Sequence, residues 1–151
     1  MGRAYHEFSV GLLEAVTQNG FLTELSLVDK RSFPDEPNEL TDNVFSQLEE
    51  YFSGARRSFD LPLNPRGTDF QRAVWKALVE IPYAQTRSYG QIAAAVGKPK
   101  AARAVGMANN KNPIIIIIPC HRVIGADGSL TGYGCGLPVK RALLELEKQN
   151  T

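Results

Sequence analysis

Ser88-Tyr89-Gly90-Gln91-Ile92-Ala93-Ala94-Ala95-Val96-Gly97-Lys98-Pro99-Lys100-Ala101-Ala102-Arg103-Ala104-Val105-Gly106-Met107-Ala108 holds two short helical segments separated by a glycine-containing turn. Ser88, with Gln91 three residues on, makes a capping box, in which hydroxyl and amide satisfy N–H groups that a helix start leaves bare. The first helix is expected over Tyr89 to Val96 and the second from near Pro99 to about Asn110. Two such helices in tandem are the mark of a helix-turn-helix. The second is unusual for what it lacks. Helices that read base edges in the major groove carry long hydrogen-bonding side chains, whereas here Arg103 stands among alanine and glycine. Small residues suit tight packing against another helix. They also suit close approach to the narrow minor groove, with Arg103 probing and Lys98, Lys100 and Lys111 near phosphates. The basic surroundings favour the groove.

Working outward, Thr68-Asp69-Phe70-Gln71 repeats the capping box and opens a helix expected to bury Phe70, Val74, Trp75 and Leu78 before Pro82. Downstream, Val123-Ile124, a Gly125–Ser129 turn and Leu130–Tyr133 predict a hairpin, or wing, and a last helix starts at Pro138. Pro62, Pro65 and Gly67 mark a joint. Before it, Leu12–Thr17 and Phe21–Val28 flank Gln18-Asn19-Gly20, a strong hairpin signal because Asn and Gly tolerate positive φ. Glu39 to Phe52 places Leu40, Val44, Leu48 and Tyr51/Phe52 on one helical stripe closed by Gly54, and Arg57–Leu63 is expected to add a strand. The result is an α/β (α+β) chain. Residues 1–63 form a small antiparallel sheet with a helix, 64–67 a linker, and 68–151 a helical, winged unit packed with the first.

Composition bounds what such a chain does. With 151 residues, 43% hydrophobic and 22% charged, it reads as globular rather than disordered. The net charge of +1 conceals a split: residues 1–67 carry 6 Lys/Arg against 11 Asp/Glu, and residues 68–151 carry 11 against 5. A basic second half points to a polyanion, usually nucleic acid. The longest apolar run, Ile114–Ile118, is too short for a membrane span, and Met1-Gly2-Arg3 leads into no signal core. His6 stands where a myristoylation signal needs Ser or Thr. A cytoplasmic protein is expected. Two cysteines, Cys120 and Cys135, exclude a disulfide-rich module and suit a reducing compartment. His6 stands without a cysteine in the first half, so no metal is expected.

The segment Asn112-Pro113-Ile114-Ile115-Ile116-Ile117-Ile118-Pro119-Cys120-His121-Arg122-Val123 carries the strongest chemical signal. Five successive β-branched residues predict a stiff, buried, extended stretch that holds Cys120 at the rim of a core. A free buried cysteine is most often a small hydrophobe, but a core cysteine does not need His121 and Arg122 beside it. A thiol of ordinary pKa is only a few per cent thiolate at neutral pH, so a reactive Cys120 needs a base. Neighbouring residues point apart, so His121 is expected to act through a water. On the last helix, Lys140, Leu143/Leu144 and Glu147 share one face, which carries Lys140 and Glu147 inward. A solvated helix edge is the plainer alternative on spacing alone.

Pro119-Cys120-His121-Arg122-Val123 resembles the active-site signature of the O6-alkylguanine-DNA alkyltransferases. The likeness extends through Phe70 and Trp75, Ser88-Tyr89, Ala101-Ala102-Arg103-Ala104-Val105-Gly106, Asn112-Pro113, Gly132-Tyr133, and Lys140, Leu143-Leu144 and Glu147. The resemblance implies a ribonuclease H-like first domain and a winged-helix second domain that enters the minor groove of double-stranded DNA. It implies irreversible, one-for-one transfer of an alkyl group from O6-alkylguanine, and also from O4-methylthymine, to Cys120. A base inside the stack is out of reach, so it must flip out. Cys120 is implied as nucleophile, with Glu147, His121 and a water relaying its proton. Tyr89, assisted by Lys140, is implied to protonate the departing guanine. Asn112 braces the turn, and Val123, Tyr133 and Gly134 line the base pocket. Arg103, Ala102, Ser88 and Gly106 lie at the DNA surface with Lys98 and Lys100. No cofactor is implied, and a monomer is expected. Cys135 departs from the family, whose pocket loop commonly has glycine there, which implies a stiffer loop.

Two rivals are a non-catalytic winged-helix module that binds damaged DNA, and a cysteine hydrolase. The first would have lost Cys120. The second would not need the basic, alanine-rich helix.

Overall fold

The computed structural model describes residues 1–130 and 132–151, which fall into two compact units, Met1–Arg66 and Gly67–Thr151. No helix among the described residues is long and apolar enough to cross a membrane.

In the first unit, β1 (Gly2–Phe8), β2 (Gly11–Gln18) and β3 (Phe21–Val28) form an antiparallel sheet in that order. The turn between β2 and β3 takes positive φ at both Asn19 (53°) and Gly20 (81°), the mirror-image geometry that matches the twist of paired strands. Helix α1 (Glu39–Phe52) is capped by Asn38, whose side chain accepts from the Thr41 N–H while Thr41 reaches back to the Asn38 backbone. Such a cap contributes about 1 kcal/mol. Val44, Leu48 and Tyr51 of α1 and Leu13, Leu22 and Leu25 of the sheet are completely buried. Each contributes roughly 1.5–3 kcal/mol by leaving water.

Two features of this unit differ from the sequence expectation. β1 was not predicted, because Ala4 and Tyr5 are both buried and break the alternation that marks a half-buried strand. Its pairing with β2, from Gly2 opposite Thr17 to Phe8 opposite Gly11, sets it instead. Conversely, Arg57–Leu63 forms no strand. Only Leu63 bridges, beside Leu22. Pro62 and Pro65 flank that bridge and offer no N–H to a ladder.

The second unit runs α2 (Asp69–Val79), β4 (Arg87–Ser88), α3 (Tyr89–Ala95), α4 (Ala102–Asn110), a single 3₁₀ turn at Cys120–Arg122, β5 (Val123–Ile124) and α5 (Leu137–Gln149). Both predicted capping boxes are present, Thr68 with Gln71 and Ser88 with Gln91. Helix α2 buries Val74, Trp75 and Leu78, while Phe70 is only half-buried. Trp75 Nε1 donates to the Ala108 carbonyl at 2.9 Å and so ties α2 to α4. Helix α4 begins later than expected, because Ala101 at its N-cap has no side chain to cap with and Lys98-Pro99-Lys100 forms a turn closed by Ala101 N–H to Lys98 O.

Two further expectations change here. Val123–Ile124 pairs in parallel with Arg87–Ser88 rather than in a hairpin of its own. The Gly125–Ser129 turn does form, with Gly125 N–H donating to Ser129 O at 2.8 Å. Of the expected second arm, Thr131 lies outside the described residues, and Leu130, Gly132 and Tyr133 carry no strand. The isoleucine run is buried throughout but is a turn, not an extended stretch. Ile117 N–H donates to Ile115 O at 2.8 Å around Ile116, whose φ is +71°. This is the rarer, strained kind of γ-turn, and for a β-branched residue an outlier. A second, relaxed γ-turn follows at Pro119 (φ −80°, ψ 63°), with Cys120 N–H donating to Ile118 O at 2.8 Å.

Candidate active site and nucleic-acid surface

Asn112 holds the isoleucine turn from within. Its Nδ2 donates to Ile118 O at 2.8 Å and its Oδ1 accepts from Ile114 N–H at 3.0 Å. The turn delivers Cys120, 3% exposed, to the start of the 3₁₀ turn, where Asn109 Nδ2 donates to its carbonyl at 3.3 Å. Burial pushes the Cys120 thiol up to about 11, and the Cys135 sulfur adds to that push. Hydrogen bonds from Asn112 and Tyr133 and the charge of Lys140 act the other way. At neutral pH roughly one molecule in ten thousand then carries the thiolate. The sulfur is therefore held as a thiol and needs a base at the moment of reaction.

Successive side chains on a 3₁₀ turn point about 120° apart, so His121 does not face the way Cys120 does. Its Nε2 lies 2.6 Å from Glu147 Oε2, with both side chains wholly buried. A carboxylate only accepts, so Nε2 carries the proton and Nδ1 of the neutral ring keeps its lone pair. That Nδ1 is buried without a hydrogen-bond partner among the described residues. Burial holds the His121 pKa below the ordinary imidazole value, and the charges of Arg122 and Lys140 reinforce this against the pull of Glu147. Burial alone would raise the Glu147 carboxyl, but His121 and Arg122 outweigh it and hold it well below the carboxylate range.

Lys140 and Leu143 are completely buried on α5 with Glu147, as their spacing predicted, and Arg141, Glu145 and Lys148 are exposed. Lys140 Nζ donates to the Val123 carbonyl at 2.5 Å and sits 6.0 Å from the centre of the Tyr133 ring. Its pKa is lowered by burial and supported by Cys120. Arg122 was not singled out from the sequence. It is only 6% exposed, and its guanidinium grips Glu147 side-on, Nε to Oε1 at 2.9 Å and Nη2 to Oε2 at 3.0 Å. No local pattern could have shown this, because its partner lies 25 residues on. Among the described residues no group of three or more His, Cys, Asp or Glu could hold a metal ion, and neither Cys120 nor Cys135 forms a disulfide.

The helix-turn-helix presents a different surface. Arg103, Ala104 and Met107 are exposed along α4, with Lys98, Lys100 and Lys111 exposed at its two ends. Ala102 is half-buried. Gly106 serves packing, since a methyl group there would lie 3.7 Å from two carbons of the Tyr89 ring. The small residues of α4 thus differ by face, Gly106 against Tyr89 and Ala104 exposed. Tyr89 opens α3, and its hydroxyl approaches Gly132, where an added methyl would lie 3.6 Å away. Ser88 spends its hydroxyl on the α3 cap, accepting from Gln91 N–H at 3.1 Å. Gly134 lies against the Asn110 carbonyl, 3.2 Å from where a methyl would stand.

A helix-turn-helix unit with an exposed basic helix and a buried cysteine beside a His–Glu pair defines a DNA-binding protein equipped for cysteine chemistry. Residues 69–149 match the family described as 6-O-methylguanine DNA methyltransferase, DNA binding domain, and residues 6–65 match its ribonuclease-like domain. The chain belongs to this family. It is 52% identical over 145 residues to a methylated-DNA-protein-cysteine methyltransferase of Methanosarcina mazei, covering 92% of this chain and 91% of that protein. A Mycobacterium tuberculosis protein of the same description is 54% identical over 144 residues, covering 92% and 87%. The crystal structure of Mycobacterium tuberculosis OGT in complex with DNA superposes with a TM-score of 0.92 at 48% identity, covering 100% of this chain and 95% of that one.

Proposed function

We propose that this chain repairs DNA by taking an alkyl group from the O6 position of guanine onto Cys120, once per molecule, and that O4-methylthymine is a second substrate. The observation that carries the reading is the buried row of Cys120, His121 and Glu147, in which Glu147 fixes the imidazole tautomer and leaves Nδ1 open.

In the step, the Cys120 sulfur attacks the alkyl carbon, an S–C bond forms and the C–O6 bond breaks. The thiol proton passes through a water to His121 Nδ1, and the imidazolium is stabilised by Glu147. Guanine leaves poorly as an anion, so the Tyr89 hydroxyl donates a proton towards it, with Lys140 assisting. The product is a thioether, which no group in the chain reverses, so each molecule acts once. The lesion base flips out of the duplex to reach a sulfur this deeply buried. The exposed face of α4 enters the minor groove with Arg103 in the place of the flipped base, and Lys98 and Lys100 lie near phosphates. Ala102 and Gly106 let the backbone come close, Ser88 sets the start of α3, and Asn112, Val123, Tyr133 and Gly134 shape the base pocket. The protein acts as a cytoplasmic monomer.

Cys120→Ser separates this reading from a purely binding role. Label transfer from duplex DNA carrying O6-methylguanine is abolished, while affinity for that duplex stays within about twofold, because no phosphate contact is lost. A folded variant that loses its affinity would favour a binding module instead.

A further inference from the structure

The relay from Cys120 to Glu147 makes no use of Arg122, yet Arg122 is buried and heavily bonded. Besides its two bonds to Glu147, its Nη1 donates to the Ile81 carbonyl at 2.8 Å, and its guanidinium carbon stands 5.7 Å from the centre of the Tyr83 ring. Ala84, held at a φ of +63°, turns its N–H onto the same carboxylate oxygen, Glu147 Oε1, at 3.0 Å.

The charges decide what this arrangement does to the imidazole. Glu147 supplies one negative charge, and a guanidinium is always positive. Gripped by Arg122, Glu147 belongs to a neutral pair, so a proton added to His121 leaves the buried cluster with a net positive charge, and the pull of Glu147 on that proton is weakened. Without Arg122, the same carboxylate at 2.6 Å would be a full counter-ion for imidazolium. An imidazolium has no lone pair at Nδ1 and cannot take a proton from Cys120. We propose that Arg122 is a positioning residue of the transfer reaction: by neutralising Glu147 it holds His121 in the neutral, Nδ1-open form that accepts the proton.

The other groups around His121 act in the same sense or are silent. From α5, Lys140 adds a second positive charge, anchored on Val123 O. On the same turn, Cys120 is a neutral thiol at rest, and Cys135 bears on that thiol. Tyr83 lies against Arg122. Burial of the ring disfavours imidazolium as well. The inference rests on the reading of His121 as the proton acceptor for Cys120.

The test is an NMR titration of the His121 imidazole in the wild type, Arg122→Lys and Arg122→Met, paired with the pH dependence of methyl transfer. His6 supplies the only other histidine signal and is identified with His6→Gln. The wild-type His121 is expected to titrate below 6.5. In Arg122→Met the His121–Glu147 pair takes up its proton at a pH higher by about one unit or more. Arg122→Lys, which keeps the charge, restores most of the wild-type value. The acid limb of the transfer rate moves with the imidazole. A wild-type imidazole titrating above 6.5 overturns the proposal without any variant, and so does an unmoved titration in folded Arg122→Met. Should Arg122→Met not fold, Arg122→Lys decides: a value about one unit above wild type would show that charge at this position does not govern His121. A titration that moves while the acid limb stays put supports the hold of Arg122 on His121, and removes His121 from its role as acceptor.

Discussion

Lys140 Nζ and the carbonyl oxygen of Val123 meet at 2.5 Å in a place where neither residue is exposed at all. The contact fixes α5 to the strand that follows the reactive turn. It also keeps a cation within electrostatic reach of the Cys120 sulfur.

Lys140→Met keeps most of the volume but removes the donor and the charge. A buried carbonyl left without a partner costs about 1–3 kcal/mol. Denaturant unfolding is expected to register a loss of that size, and transfer to slow because thiolate at Cys120 loses its nearby cation. Unchanged stability would mean that another donor satisfies Val123.

Asn112→Ala removes both side-chain bonds that span the isoleucine turn and a hydrogen bond to the Cys120 thiol. The strained φ at Ile116 persists only while its surroundings impose it. We expect a stability loss of about 1–3 kcal/mol and a further rise in the thiol pKa, read by the pH dependence of iodoacetamide labelling. A thiol that labels as in the wild type would remove Asn112 from the site.

Much of this architecture is legible from local rules. Asn19-Gly20 specifies its turn by φ preference, Thr68–Gln71 and Ser88–Gln91 specify two helix starts, and the spacing of Lys140, Leu143 and Glu147 carries two charges inward. What escapes is decided at a distance. Ile114–Ile118 has the composition of a strand, yet Asn112 clamps it as turns from a side chain that composition does not reveal. Arg122 reads as a polar neighbour of the cysteine because Glu147 and Ile81, which bury it, are remote in sequence. Physical reading nominates Cys120 as reactive, but the alkyl chemistry was legible only through the family resemblance.

Acid should weaken the fold through two groups with the same sign. The His121 pKa lies below its ordinary 6.5, so its contribution is complete above 6.5 and is lost as pH falls below that value. Glu147 lies below its ordinary 4.5, so its contribution is present above 4.5 and fades at lower pH. Denaturation midpoints are expected to be flat near neutrality, to decline below 6.5 and to fall more steeply below 4.5. In Glu147→Gln the steep part should be missing. Midpoints that rise on acidification would contradict the assignment of both groups.

Arg103→Ala should slow transfer from duplex DNA much more than transfer from a free O6-alkylated guanine, since Arg103 is exposed on α4 and outside the row of Cys120, His121 and Glu147. Competition kinetics on the two substrates read the difference. Equal slowing would assign Arg103 to the pocket rather than to the duplex.

On the proposed function, a thiol shut inside the second unit becomes, once and permanently, the bearer of the alkyl group. Intact-protein mass spectrometry after incubation with excess duplex carrying O6-methylguanine reads this transfer on the protein itself. Every active molecule is expected to gain one methyl group, located on Cys120 by peptide mapping, with no second gain on longer incubation. An unchanged mass, or a methyl group on Cys135, would contradict it.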